Sequence, residues 1–438
     1  MVISDMFKIK NGMLSSESSE AIAAASLNPE TAIPLYQLPD ILEVLIESAC
    51  NEESPLECRY GALVAMANLT ALPYPDNSET EQIIQKVKGL TPRKEHGNEE
   101  TDNMKIILSE AAMETRKEML DEKYIQRISQ MMPTYTFASA AQAAKIILNF
   151  SEMPKVRGQL AQSGAVKGLI SVATRAMNEK NPNNDENLKM AFCYSVLALA
   201  RILISLDPAL VFSPGRIHYS TAVKPMIRFL CDRNLNPTGD LADRVEIFMA
   251  LTNLALTDEL TCKIIVDEGY DEIELAMNSG NTILRRAATE LICNLVRSEA
   301  GMRLYSSNST QAKRRMQLLC AMDTDDLRTQ LAVGGALATL TSESQSFHSI
   351  GSTNMFSDSI LLMIESENLG LQLRGLTSIL NIAINRLSTD ADAAKTARAI
   401  MQRISGEEML SRLHFLLQNG DAQVCSLVTE IVSTMKKK

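Results

Sequence analysis

One short phrase recurs six times along this chain: small and apolar residues lead to an asparagine and one more apolar residue, near the end of a helical stretch. Its instances are Ala65-Met66-Ala67-Asn68-Leu69, Ile146-Ile147-Leu148-Asn149-Phe150, Ala250-Leu251-Thr252-Asn253-Leu254, Leu291-Ile292-Cys293-Asn294-Leu295, Leu337-Ala338-Thr339-Leu340 and Ser378-Ile379-Leu380-Asn381-Ile382. With Thr339 standing in where the asparagine is missing, successive register positions lie 81, 104, 41, 45 and 42 residues apart. A period of about 40 to 45 is that of armadillo and HEAT units, helix groups that cannot bury their apolar faces alone and therefore stack. The first two intervals have room for two or more units. The expected fold is all-α, an armadillo/HEAT-type right-handed helical solenoid forming a single body over residues 1–438.

Composition agrees with helices throughout. Aromatic residues are 4% of the chain, Trp is absent, Gly (19) and Pro (14) are sparse, and Met (23) is abundant alongside Leu and Ala, which disfavours pleated sheet. Hydrophobic residues at 45% and charged residues at 22% exclude wholesale disorder. The balance of 43 Lys+Arg against 53 Asp+Glu disfavours sequence-independent nucleic-acid binding, which needs a basic excess to displace counterions. The basic clusters at Arg285-Arg286, Lys313-Arg314-Arg315 and Lys436 to Lys438 read as solvated faces.

The N-terminal residues show no secretory pattern. The longest apolar stretch, Ala191 to Phe212, is interrupted by Arg201 and Asp207 and reads as too short to span a membrane. A cytoplasmic protein without a membrane partner is expected, its eight scattered cysteines reduced. The four histidines form no HExxH pair, and no GxGxxG, P-loop, GxSxG or kinase motif occurs. No metal, cofactor or catalytic residue is expected, and the chain is not read as an enzyme. The Gly334-Gly335 pair inside Leu331 to Leu340 reads as a close helix crossing.

The clearest repeat unit starts at Asp267-Glu268-Gly269, runs through Ile273 to Met277, breaks at Asn278 to Asn281 and continues from Leu284 to Val296. Gly269 is expected to bend the entry, and Ser279-Gly280-Asn281 to end a helix. Leu284, Ala287, Ala288, Leu291 and Leu295 form one apolar stripe. The segment Ser163-Gly164-Ala165 repeats the same grammar. Residues 76–103 are polar and read as a mobile loop, and residues 178–187 as a linker; neither divides the chain into independent domains.

Asn inside a helix is a poor helix former, so its recurrence at one register points to work done by the carboxamide. Lining the inner face of a solenoid, it could bond the backbone of an extended guest; alternatively it ties its own helix end to the next loop. Residues four and seven positions earlier share its face: Met249 and Glu246 beside Asn253, Glu290 and Ala287 beside Asn294, Thr377 and Arg374 beside Asn381, Lys145 and Gln142 beside Asn149. Such a mixed strip suits a polypeptide better than a polyanion. Nuclear-import adaptors usually carry Trp four residues before the Asn, where this chain has Val64, Lys145, Met249, Glu290 and Thr377.

From residue 222 to 343 the words Ala222 to Ile227, Glu246 to Leu254, Lys263 to Ile265, Glu268 to Ile273, Arg285 to Val296 and Gly334 to Thr341 resemble, in order and spacing, those of the UCS-domain myosin chaperones. The resemblance is looser over roughly 150 to 430. It implies a chaperone that holds partly folded myosin motor domains through a concave groove, in the cytoplasm and without nucleotide turnover, with Asn253 lining the groove and Asn294 and Glu290 sharing its register. Animal members begin with a tetratricopeptide domain that docks Hsp90; no such repeat is evident before Asn68, which leaves direct Hsp90 recruitment unsupported. The competing expectation is a generic armadillo scaffold or transport adaptor that binds an extended peptide.

Overall fold

In a computed structural model the described residues are 13–72, 99–179, 185–212, 217–236, 239–322 and 326–437, with 99–102 described in backbone only. Every regular element among them is a helix. The helices that stack on one another in series are, in a first group, α1 Ser16–Ala25, α2 Leu56–Leu69, α3 Phe137–Ser151, α4 Glu186–Ser205 and α5 Leu241–Leu254, and in a second, α6 Thr282–Leu295, α7 Leu327–Leu340, α8 Leu369–Asn385 and α9 Ala422–Met435.

The chain divides into two compact units, Met1–Leu254 and Ala255–Lys438. In the first, α1 to α5 pack one on the next, with a second row behind them: Ile41–Cys50 against α2, Ala165–Met177 against α4, and Ser220–Cys231 against α4 and α5. In the second, α6 to α9 pack in series, backed by Glu259–Met277 on α6, Met355–Glu365 on α8 and Glu407–Asn419 on α9.

The starts of these helices follow from single side chains. Eight of the nine begin under a Ser, Thr, Asp or Asn whose side chain accepts from the first turn: Ser15, Thr136, Asp185, Asp240, Asn281, Asp326, Asn368 and Asp421. Such a cap satisfies one of the N–H groups a helix start leaves without a partner. Asn281 accepts from both Ile283 N and Leu284 N at 3.0 Å, so it opens α6 rather than closing the helix before it. Gly269 also departs from expectation. It lies buried inside Glu259–Met277, a continuous helix with no bend there, because a single glycine costs a helix only about 1 kcal/mol and burial outweighs that. The expected bend is real at Gly164, whose φ of +84° only glycine adopts freely.

Helix α4 is long and apolar enough to cross a membrane by length and composition, which corrects the reading of that stretch as too short. It is nonetheless a core helix. Leu188, Phe192, Val196, Leu199, Ile202 and Leu203 are all buried, and α3, α5 and Ala165–Met177 pack around it, as expected of a helix that is apolar on every side. Of the two polar stretches, 76–98 and 180–184 lie outside the described residues; 99–103 begin the helix Glu99–Asp121, and Asp185 caps α4.

Two glycines in short helices separate packing from propensity. A Cβ on Gly301 would stand 2.0 Å from Leu295 O, the last residue of α6, whereas one on Gly158 would meet nothing within 4 Å. Gly301→Ala is expected to destabilise the protein by about 1–3 kcal/mol, and Gly158→Ala to be neutral or stabilising by up to about 1 kcal/mol. Urea unfolding of both variants checks this; equal midpoints would refute the packing at α6.

Candidate protein-binding face

Four of the five recurring asparagines, Asn68, Asn149, Asn253 and Asn381, turn out to connect neighbouring helices. Asn149 on α3 donates through Nδ2 to Ala67 O (2.9 Å) and Thr70 Oγ1 (3.1 Å) at the end of α2. Asn253 on α5 donates to Leu203 O (2.9 Å) and Ile204 O (3.0 Å) at the end of α4. Asn381 on α8 donates to Ala338 O (2.9 Å) and Thr341 Oγ1 (3.2 Å) at the end of α7, and Asn68 reaches Ser26 Oγ at 3.0 Å, just past α1. The last four carbonyls of a helix have no partner within it, so each of these four amides bonds at the end of the helix stacked before it. This explains the register. The interval from Asn68 to Asn149 holds one stacking step, since α2 packs directly on α3, and that from Asn149 to Asn253 holds two, α4 intervening with Ile204 at the amide position.

The predicted site residues divide between the two units. In the first unit Asn149 is 8% exposed, Met249 and Asn253 are half-buried on α5, and Glu246 is enclosed. The Glu246 carboxylate takes a forked contact from Arg201 of α4, Nε to Oε2 at 2.9 Å and to Oε1 at 3.1 Å. Behind this pair the buried Arg157 donates to Ser151 O at 2.7 Å and to Ser205 Oγ, burial pulling its guanidinium down to about 10. In the second unit Glu290 and Asn294 on α6 and Thr377 and Asn381 on α8 are all half-buried. Burial raises the Glu290 carboxyl, while Arg286 and Arg328 pull it back.

Asp326, the cap of α7, joins α6 to α7. Its carboxylate accepts from Thr329 N (2.9 Å) and Thr329 Oγ1 (2.6 Å) and takes the forked guanidinium of Arg286, Nε to Oδ2 at 2.9 Å. These bonds hold its carboxyl down at about 2, against opposing desolvation. The Gly334-Gly335 pair is the expected close crossing, with Arg374 of α8 lying against it. Sequence reasoning missed Arg201, Arg286 and Asp326 as linkers. Arg201 was visible as the charge interrupting an apolar run, and Asp326 as a cap residue ahead of Leu327. Among the described residues no three His, Cys, Asp or Glu side chains gather as a metal site would require.

Stacked helices bonded end to neighbour, presenting half-buried mixed strips, define an all-α solenoid of the armadillo type. No family model matches the chain. It is 29% identical over 247 residues to Ring assembly protein 3 of Schizosaccharomyces pombe, covering 56% of this chain and 31% of that one. To protein unc-45 homolog B of Homo sapiens it is 25% identical over 384 residues, covering 86% and 38%. The fold matches solved structures of She4p (TM-score 0.72, 20% identity, 96% of this chain and 54% of that one) and of UNC-45 from Drosophila melanogaster (0.73, 21%, 96% and 49%). The chain is thus a homologue of the UCS-domain proteins, as the words between residues 222 and 343 indicated. It spans about a third of the length of these curated relatives.

Two measurements test this geometry. Asn253→Ala strands two carbonyls and is expected to cost about 1–2 kcal/mol; Asn253→Asp sets a carboxylate against the same two oxygens and is expected to cost more, which urea midpoints would rank. For Asp326 the folded carboxyl, at about 2, lies below its unfolded value of about 3.9. Its contribution is therefore present above about pH 4 and lost as pH falls through 2. The stability gap between wild type and Asp326→Asn, which keeps a capping side chain, should close over that window; a gap independent of pH would remove Arg286 from the account.

Proposed function

We propose that the chain holds partly folded myosin motor domains against aggregation in the cytoplasm, taking up exposed guest segments on the half-buried strips that each unit carries, that of α5 in the first and those of α6 and α8 in the second. The homology to UCS-domain proteins supports this, as does a solved UNC-45 chaperone whose described features bind and fold muscle myosin (TM-score 0.60, 16% identity, 96% of this chain and 47% of that one). The observation that carries the reading is the make-up of the strips. They set Met249 beside Asn253 and Glu290 beside Asn294, and the Nδ2 donors of Asn253 and Asn381 are held from behind. Donors fixed in this way lose little freedom when a guest binds, and their Oδ1 atoms can accept from the backbone of an extended segment.

The reading involves no nucleotide turnover, and the holding step needs no Hsp90. Light scattering of a heated myosin motor domain is expected to fall at equimolar chain without ATP. Met249→Asp, which puts a charge on the strip of α5, should weaken protection by about tenfold in the concentration required while circular dichroism stays unchanged. Unaltered scattering with wild-type chain would overturn the proposal. Tight capture of a lysine-rich import peptide, with no motor-domain binding, would favour a transport adaptor instead.

A further inference from the structure

The second unit carries an arginine set on two glycines. A Cβ on Gly334 would stand 3.2 Å from Arg374 Cδ and 3.1 Å from Met363 Sδ, and one on Gly335 would stand 2.8 Å from Cys293 Sγ and 3.5 Å from Arg374 Nε. Only bare backbone on α7 lets the Arg374 stem lie there, so that α8 and α6 meet over Gly335. The guanidinium is half-buried. Its one hydrogen bond is long, Nη1 to Gly370 O at 3.4 Å, and among the described residues it has no carboxylate partner.

The surroundings are basic although the whole chain carries a net charge of −10. Arg297 and Arg374 both act on the Cys293 thiol, and Arg286 and Arg328 on Glu290. Among the described residues two carboxylates, Glu290 and Asp326, stand beside these arginines, and Asp326 is already held by Arg286. A guanidinium partly removed from water and left without a counter-charge gains from a carboxylate it can grip with two parallel N–H bonds.

We propose that Arg374, seated on the Gly334-Gly335 pair, docks a carboxylate side chain from an extended acidic segment of a guest polypeptide. The inference rests on the proposed function and names the guest's chemistry. Asn381, about two turns further along α8, is placed to bond the backbone of the same segment. A nucleic acid or other continuous polyanion fits less well, since its regular charges would also meet Glu290.

Fluorescence anisotropy tests this with a labelled extended peptide rich in Asp and Glu, its Asn/Gln counterpart, and a single-stranded oligodeoxynucleotide of equal charge. Wild-type chain is expected to bind the acidic peptide about tenfold tighter than the amide peptide and tighter than the oligonucleotide. Arg374→Met, which keeps the stem over the glycines, should bind both peptides alike, and Arg374→Lys should keep part of the preference. Equal binding of the two peptides by wild type, a full preference in Arg374→Met, or oligonucleotide binding as tight as that of the acidic peptide overturns the proposal. The peptide comparison on wild type is independent of how any variant folds. The scattering assay run alongside separates the two claims: protection retained without acidic preference removes only this inference, and acidic preference without protection removes only the proposed function.

Discussion

The helix C-terminus is the structural weak point of a stacked-helix protein, and this chain closes it from the neighbouring helix. A helix in isolation leaves its last carbonyls to water; in a stack they are covered by the next layer and need protein donors. Asn149, Asn253 and Asn381 supply them along the series. Arginines do the same elsewhere: Arg116 reaches Thr70 O at 2.7 Å after α2, Arg157 reaches Ser151 O after α3, and Arg412 reaches Ile364 O at 2.8 Å. Because donor and acceptor sit on different helices, each bond fixes how far one helix slides along the next. Apolar burial drives the stacking without direction, and these bonds set the register.

Charge pairs add a second kind of link whose sign depends on enclosure. Arg201–Glu246 and Arg286–Asp326 both join consecutive stacked helices through forked contacts. For the first pair, with side chains 14% and 4% exposed, desolvation largely offsets the attraction, so its worth lies in specifying which helices meet, and removing one partner alone would be costly. Asp326 is also the cap of α7, so its carboxylate opens one helix while holding the previous one. That double duty explains why it stays ionised.

Much of the fold was legible because it is written in local rules. The amide register gave the period, whereas the caps went unread: Asp185 falls in a stretch that reads as a linker, and Asn281 reads as the end of a helix although it opens α6. What could not be read was where each side chain goes in space. Asn149 and Asn381 share a phrase, yet the phrase does not say that the amide points backwards to the preceding helix end; that follows only once α2 lies under α3 and α7 under α8. Glu246 looked like a lining residue by spacing, and its partner Arg201 lies 45 residues away, beyond any periodicity argument. Gly269 shows the opposite error, a local rule for bends overridden by tertiary packing around Glu259–Met277.

On the proposed function the same residues serve stability and recognition, which constrains how the strips can evolve. An amide whose Nδ2 groups are bonded behind it cannot become a charge without disturbing the helix it holds, so variation in guest preference falls on positions that link nothing, such as Met249 and Thr377. Arg374 is the exception that the glycine pair makes possible. Removing two side chains from α7 leaves no bulk to deflect the guanidinium, and among the described residues no carboxylate pairs with it, so a charge is held on the second unit outside its ion pairs. On the proposed function that arrangement suits a guest of many conformations, because such a charge could engage and release without loosening the stack.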